Sequence, residues 1–75
     1  MSDLPLVSGR EVVAALARLG YEKDRQKGSH IVLRQTVHPH RRLVIPDHKE
    51  VAKGTLRAII KQAGLTVEEF SKLLR

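Results

Sequence analysis

The four histidines are the side chains of this sequence best suited to proton transfer, and all of them lie between positions 30 and 48. His30 follows Gly28-Ser29 directly, with Lys27 shortly before it and Arg34 four residues after it. An imidazole has an ordinary pKa near ~6.5, so it accepts and donates protons near neutral pH. Among cations, such a group is suited to moving protons on the ribose oxygens of a phosphodiester. The alternative is that His30 is a structural histidine.

His48 follows Pro46-Asp47 and has two interpretations. It is either a second proton-transfer group or a hydrogen-bonding link that fixes its loop. His38 and His40 flank a proline, but two imidazoles lack the third and fourth ligands that zinc needs. We therefore expect a solvated loop there, no metal site, and no cofactor.

The segment Lys53-Gly54-Thr55 has some likeness to a phosphate-binding loop. The order Gly-x4-Gly-Lys-Ser/Thr is absent, so the sequence gives no support for nucleotide hydrolysis. The segment does predict a helix N-terminus with cations, where a single phosphate fits.

The charge of the chain favours a polyanionic partner. Its 75 residues include 14 Lys and Arg against 8 Asp and Glu, a formal charge of +6. Between Arg25 and Arg42 there are five basic residues and no acidic one. Clustered cations make RNA or DNA the natural partner, whereas dispersed cations form only a solvated face. With Tyr21 and Phe70 as the sole aromatic residues, a surface that stacks unpaired bases is not expected.

The size and composition limit the class of protein further. A chain this short has room for one core, which excludes Rossmann folds and TIM barrels. Cysteine is absent, which excludes disulfides and thiolate sites and fits a cytoplasmic location. The segment Met1 to Val7 lacks the pattern of a signal peptide, and no long apolar run occurs. We expect a soluble protein with no membrane association.

Hydrophobic spacing, capping boxes and glycines predict the order α-β-β-β-α-α. The predicted elements are a helix from about Gly9 to Leu19, strands over Tyr21 to Lys27, His30 to Gln35 and Leu43 to Ile45, a helix from Gly54 to Ala63, and a short helix after Thr66. We expect an α+β fold whose helices cover one face of a three-stranded antiparallel sheet. Alternation then puts His30, Val32 and Arg34 on the free face.

Six short motifs occur in order over almost the whole chain. They are Ser8-Gly9-Arg10-Glu11-Val12, Leu19-Gly20-Tyr21, Arg25-Gln26-Lys27-Gly28-Ser29-His30, Ile45-Pro46-Asp47-His48, residues 53–65, and Glu68-Glu69-Phe70. This ordered set resembles the HicA toxins, the mRNA interferases of HicA/HicB toxin–antitoxin pairs. The sequence departs from that family at the polar Glu22-Lys23-Asp24 and at Ile31, where many members have another histidine.

The resemblance implies a double-stranded-RNA-binding-like fold with a short extra C-terminal helix, in one domain over residues 1–75. It also implies a metal-independent endoribonuclease that cleaves mRNA and is neutralised by a HicB antitoxin covering the catalytic surface. The histidine of its Gly-Ser-His motif is His30 here, with Gly28 and Ser29 as supporting residues. From charge and inferred position, the candidate RNA contacts are Lys27, Arg34, Lys49 and Lys53.

Two other functions remain open from the sequence. One is a non-catalytic double-stranded-RNA-binding module that recognises helical shape through phosphates and 2′-hydroxyls, and its binding would survive the loss of His30. The other is a module whose basic face docks an acidic protein, and it would have no RNA affinity at physiological salt.

Overall fold

The chain folds as one helix, three antiparallel strands and two further helices, as the sequence pattern predicts. The computed structural model describes residues 4–74. Its elements are α1 (Gly9–Ala17), β1 (Tyr21–Lys27), β2 (His30–Gln35), β3 (Arg42–Pro46), α2 (Lys53–Gln62) and α3 (Val67–Leu73). The predicted α+β class is confirmed. The beginning of the segment Met1 to Val7 and the last residue of the predicted domain, residues 1–75, lie outside the described residues.

The sheet has the order β1-β2-β3, with β2 in the centre and both pairings antiparallel. Residues that pair directly across antiparallel strands project from the same face. Ile31 and Leu33 of β2 therefore share one face with Ile45 and Leu43 of β3, and all four are buried. This face carries the helices, and the opposite face, called the open face below, is free of them.

The core is a single cluster between the covered face of the sheet and the three helices. Leu16 of α1, Leu56 of α2 and Phe70 of α3 are each fully buried in it. The apolar stripe of each helix faces the sheet, which explains the helical spacing of these residues. Edge strand β1 contributes only Tyr21 and is otherwise exposed, in keeping with its polar sequence.

Helix α1 begins and ends with identifiable signals, although it is shorter than predicted. The Ser8 hydroxyl accepts from the Glu11 backbone N–H, while the Glu11 carboxylate accepts from the Ser8 N–H. The helix ends at Ala17 and not at Leu19, because residues 18–20 form tighter turns that bond three residues back. Leu19 lies in these turns and is 36% exposed.

The first residue of α1 packs against the end of β3. The backbone N–H of Gly9 donates to the carbonyl of His48 at 2.9 Å. A Cβ at position 9 would overlap the carbonyl oxygen of Pro46 and lie 2.9 Å from the carbonyl carbon. Glycine at this position is what lets the helix approach the chain just before His48, and so this contact fixes the path of that segment.

Candidate active site

A tight hairpin turn places His30 at the corner of the open face. Gly28 and Ser29 join β1 to β2, and Lys27 pairs directly with His30. Gly28 has a φ of +60°, and among the described non-glycine residues only His40 has a positive φ, so this turn has the pattern of type II′. The roles of Gly28 and Ser29 are thus to close the two-residue turn that presents His30.

The side chain of His30 is exposed, and its imidazole makes no hydrogen bond to any residue between 4 and 74. Alternation along β2 sets it on the open face, since its neighbour Ile31 is buried in the core. A free imidazole at this position can exchange protons with a bound molecule.

His30 and His48 line one shallow depression of about 350 Å³. The other residues around it are Val44 and Pro46 of β3, Ala52, and Thr55 in the first turn of α2. Among residues 4–74 no side chain caps the start of α2, where Ala52 is the N-cap residue and Lys53 follows it. The depression is therefore lined by two histidines and by the positive end of a helix dipole.

The main chain around His48 is fixed by two hydrogen bonds. Its carbonyl accepts from Gly9, and the N–H of Asp47 donates to the carbonyl of Ser29 at 2.6 Å. The second bond ties the segment after β3 to the turn that carries His30. The imidazole of His48 is exposed and has no hydrogen-bond partner among the residues described.

Asp47 is a contributor to the site that the sequence pattern did not single out. Its carboxylate accepts from the Arg10 guanidinium and from the Gln26 side-chain amide, each at 3.3 Å. It thereby links α1, β1 and the segment leading to His48. Gln26 was the sequence feature that could have indicated this link. It pairs with buried Ile31 and is therefore a polar residue on the helix-covered side of the sheet.

Positive charge gathers at the end of the open face that carries His30. Lys27 lies in the row of paired residues that contains His30, and Arg25 lies in the next row with Val32 and Val44. Neither row contains an acidic residue. Lys49 lines a second depression with Arg10 and His48, and Lys53 opens α2 beside the first depression. Lys27, Lys49 and Lys53 are therefore grouped around the histidine pair.

Arg34 lies at the opposite end of the open face, where acidic and basic side chains are mixed. Arg34 pairs with Glu22 on one side and with Arg42 on the other. It is four residues from His30, about 13 Å along the strand. Arg42 forms an ion pair of 3.0 Å with Asp24, which occupies a bulge in β1. Arg34 is on the predicted face, but it is not brought to His30.

The loop with His38 and His40 lies at the far end of the sheet. The two rings are 6.4 Å apart between centroids and roughly perpendicular. The Nδ1 atom of His40 is 3.1 Å from the carbonyl oxygen of Gln35. Within residues 4–74 no group of three or more His, Cys, Asp or Glu side chains could hold a metal ion, and no helix has the length and apolar character needed to cross a membrane.

A model of a known protein family matches most of the chain. The family model described as the HicA toxin of bacterial toxin–antitoxin systems matches residues 9–65. This range runs from the first residue of α1 to just beyond α2, and it includes the whole sheet, the first depression and all of the second depression except Ser8. A search of curated proteins gave no match.

Proposed function

This chain belongs to the HicA toxin family of bacterial toxin–antitoxin systems, and on that basis we propose that it is an endoribonuclease that cleaves mRNA in the cytoplasm. The observation that carries the proposal is the placement of His30. Its imidazole is exposed on the open face, has no competing hydrogen bond among the described residues, and lies in a row with Lys27. An accessible proton-transfer group beside cations is suited to acid–base cleavage of a phosphodiester.

In the proposed reaction, His30 transfers a proton to or from a ribose oxygen at the scissile phosphate. Lys27, Lys49 and Lys53 bind the phosphates of the RNA and stabilise the negative charge that develops at the phosphorus atom. Arg34, at the other end of the open face, binds a phosphate farther along the strand. This mechanism uses only side chains and therefore proceeds without a metal ion.

The test is cleavage of a labelled unstructured RNA in the presence of a chelator, with the wild-type chain and a His30→Ala variant. We expect the wild type to cut and the variant to lose about 10²–10⁴-fold in rate, the range for one general acid or base. A His38→Ala variant is the matched control, since it removes an exposed imidazole at the far end of the sheet. Its rate should equal that of the wild type.

Three other results would contradict the proposal. Cleavage that stops with the chelator would show dependence on a metal. If both proteins bind RNA equally and neither cuts it, the protein is a binding module that recognises the nucleic acid through its cations. If neither protein binds RNA at physiological salt, the basic surface serves a protein partner.

Membership of the family implies an antitoxin partner, and we propose that it is a HicB protein that covers the surface around His30. Two features support this surface as the contact. It is cationic, and it includes Val44, a large apolar side chain that is 52% exposed on the open face. Adding purified HicB in equimolar amount to the cleavage assay should abolish the reaction.

A further inference from the structure

We propose that His48 is the second catalytic histidine, so that His30 and His48 act as an acid–base pair on one phosphodiester. This inference rests on the proposed ribonuclease function and adds to it a second catalytic residue and the nature of the products. It starts from the depression of about 350 Å³, whose lining includes His30, His48 and the first turn of α2.

His48 contributes to the structure through its main chain and not through its side chain. The segment is held through main-chain atoms, with the His48 carbonyl bonded to Gly9 and the Asp47 N–H bonded to Ser29. The Asp47 carboxylate adds contacts to Arg10 and Gln26. None of these bonds uses the His48 imidazole. The fold therefore does not require a histidine ring at position 48, and we infer that the ring acts on a molecule bound in the depression.

Two imidazoles at one phosphate allow a balanced transesterification. One imidazole takes the proton from the 2′-hydroxyl as the 2′-oxygen bonds to phosphorus. The bond between phosphorus and the 5′-oxygen breaks, and the second imidazole gives its proton to that oxygen. The products are a 2′,3′-cyclic phosphate and a 5′-hydroxyl, and solvent restores both protonation states. No other reactant is consumed.

Several charged groups surround His48 and belong to the same electrostatic environment. His30 lines the first depression together with it, and Arg10, Asp47 and Lys49 share the second depression with it. Lys53 begins the helix whose first turn lines the first depression. The test compares whole pH profiles and not rates at a single pH.

The first experiment measures the rate of RNA cleavage against pH for the wild type, His30→Gln, His48→Gln and the control His38→Gln. An acid–base pair gives a bell-shaped profile, because one ring must be neutral and the other protonated. We expect His48→Gln to bind RNA normally, to lose about 10²–10⁴-fold in rate, and to lose one limb of the bell. The control should keep the complete bell.

The second experiment assigns the two roles with an RNA in which sulfur replaces the 5′-oxygen at a single scissile bond. A thiolate leaves without being protonated, so this substrate needs no general acid. Whichever glutamine variant lacks the acid should regain most of its rate on the sulfur-containing RNA, while the variant lacking the base should remain slow. Mass spectrometry of the products should show the cyclic phosphate.

The outcomes separate this inference from the proposed function. A wild type that never cuts RNA overturns both. A wild type that cuts and depends on His30, combined with a His48→Gln variant of unchanged rate and profile, overturns only the role of His48. An equal response of the two glutamine variants to the sulfur-containing RNA also overturns the acid–base pair. Circular dichroism verifies that His48→Gln is folded, as its exposed ring leads us to expect.

Discussion

Two glycines in the first turns of α1 and α2 have opposite surroundings, although both begin helices near the site. Gly9 packs so closely on Pro46 that a Cβ would overlap its carbonyl oxygen. At Gly54, a Cβ would have no described atom within 4 Å apart from its chain neighbours and the backbone of its own helix. The same substitution at these two positions therefore separates the effect of close packing from the effect of glycine flexibility.

We expect Gly9→Ala to lower the free energy of unfolding by about 1–3 kcal/mol, as overpacking does. Gly54→Ala should raise it by about 0.5–1 kcal/mol, because alanine loses less backbone entropy than glycine in a helix. Urea unfolding of both variants measures the two effects. A Gly9→Ala variant as stable as the wild type would show that the contact between α1 and β3 can relax freely.

At the scale of single residues, part of the site could be predicted from the sequence and part could not. The Gly-Ser-His order was sufficient to place His30 after a turn and on the open face, because turn chemistry and alternation are local. The link from Asp47 to Arg10 and Gln26 joins residues 37 and 21 positions apart. Such a link depends on how three elements pack, and the sequence signals only one end of it, through the polar Gln26 on the helix-covered side of β1.

Among the elements, β1 determines how charge is distributed over the open face. Its bulge, between Lys23 and Arg25, brings the carboxylate of Asp24 onto Arg42 across the sheet. The polar character of the strand was evident from the sequence, but the bulge was not predicted. A bulge shifts the alternation of apolar and polar residues by one position, and β1 has too few apolar residues for that shift to be visible. The bulge makes one end of the face close to neutral.

Replacing Asp24 by asparagine should increase RNA affinity. The change removes one negative charge and releases Arg42 to contact phosphate, and one exposed ion pair of ~1 kcal/mol corresponds to about fivefold in Kd. Fluorescence anisotropy with a labelled RNA at low salt measures the gain. Glu68→Gln, on α3 behind the sheet, makes the same change in net charge and should leave Kd nearly unaltered. Equal gains for both variants would mean that only net charge matters.

The predicted boundaries were most accurate where a local signal ends an element. Both capping boxes begin their helices as predicted, at Ser8 and Thr66. The end of α1 was placed two residues too late, because Arg18 and Leu19 are compatible with a helix and only the tighter turn in the structure excludes them. Hydrophobic periodicity alone could not place this boundary.

For the molecule as a whole, the formal charge of +6 predicts RNA binding that weakens steeply with salt. If Lys27, Arg34, Lys49 and Lys53 each neutralise one phosphate, the logarithm of the binding constant should fall with the logarithm of salt at a slope of about −3, from ~0.7 per contact on a single strand. Anisotropy titrations over a series of salt concentrations measure this slope.

A Lys27→Ala variant should have a shallower slope by ~0.7, because one contact is lost. Lys72→Ala, on α3 behind the sheet, reduces the net charge equally and should keep the slope of the wild type. Identical slopes for the two variants would argue against a localised RNA surface and in favour of diffuse attraction to the whole basic molecule.

The exposed imidazole of His30 has a practical consequence for isolating the natural assembly. Because the ring is exposed and has no hydrogen bond within residues 4–74, its replacement removes little that the fold needs. A folded chain without its proposed catalytic group should be harmless to the cell that expresses it. Tagged and expressed in quantity, it would serve as bait for the antitoxin.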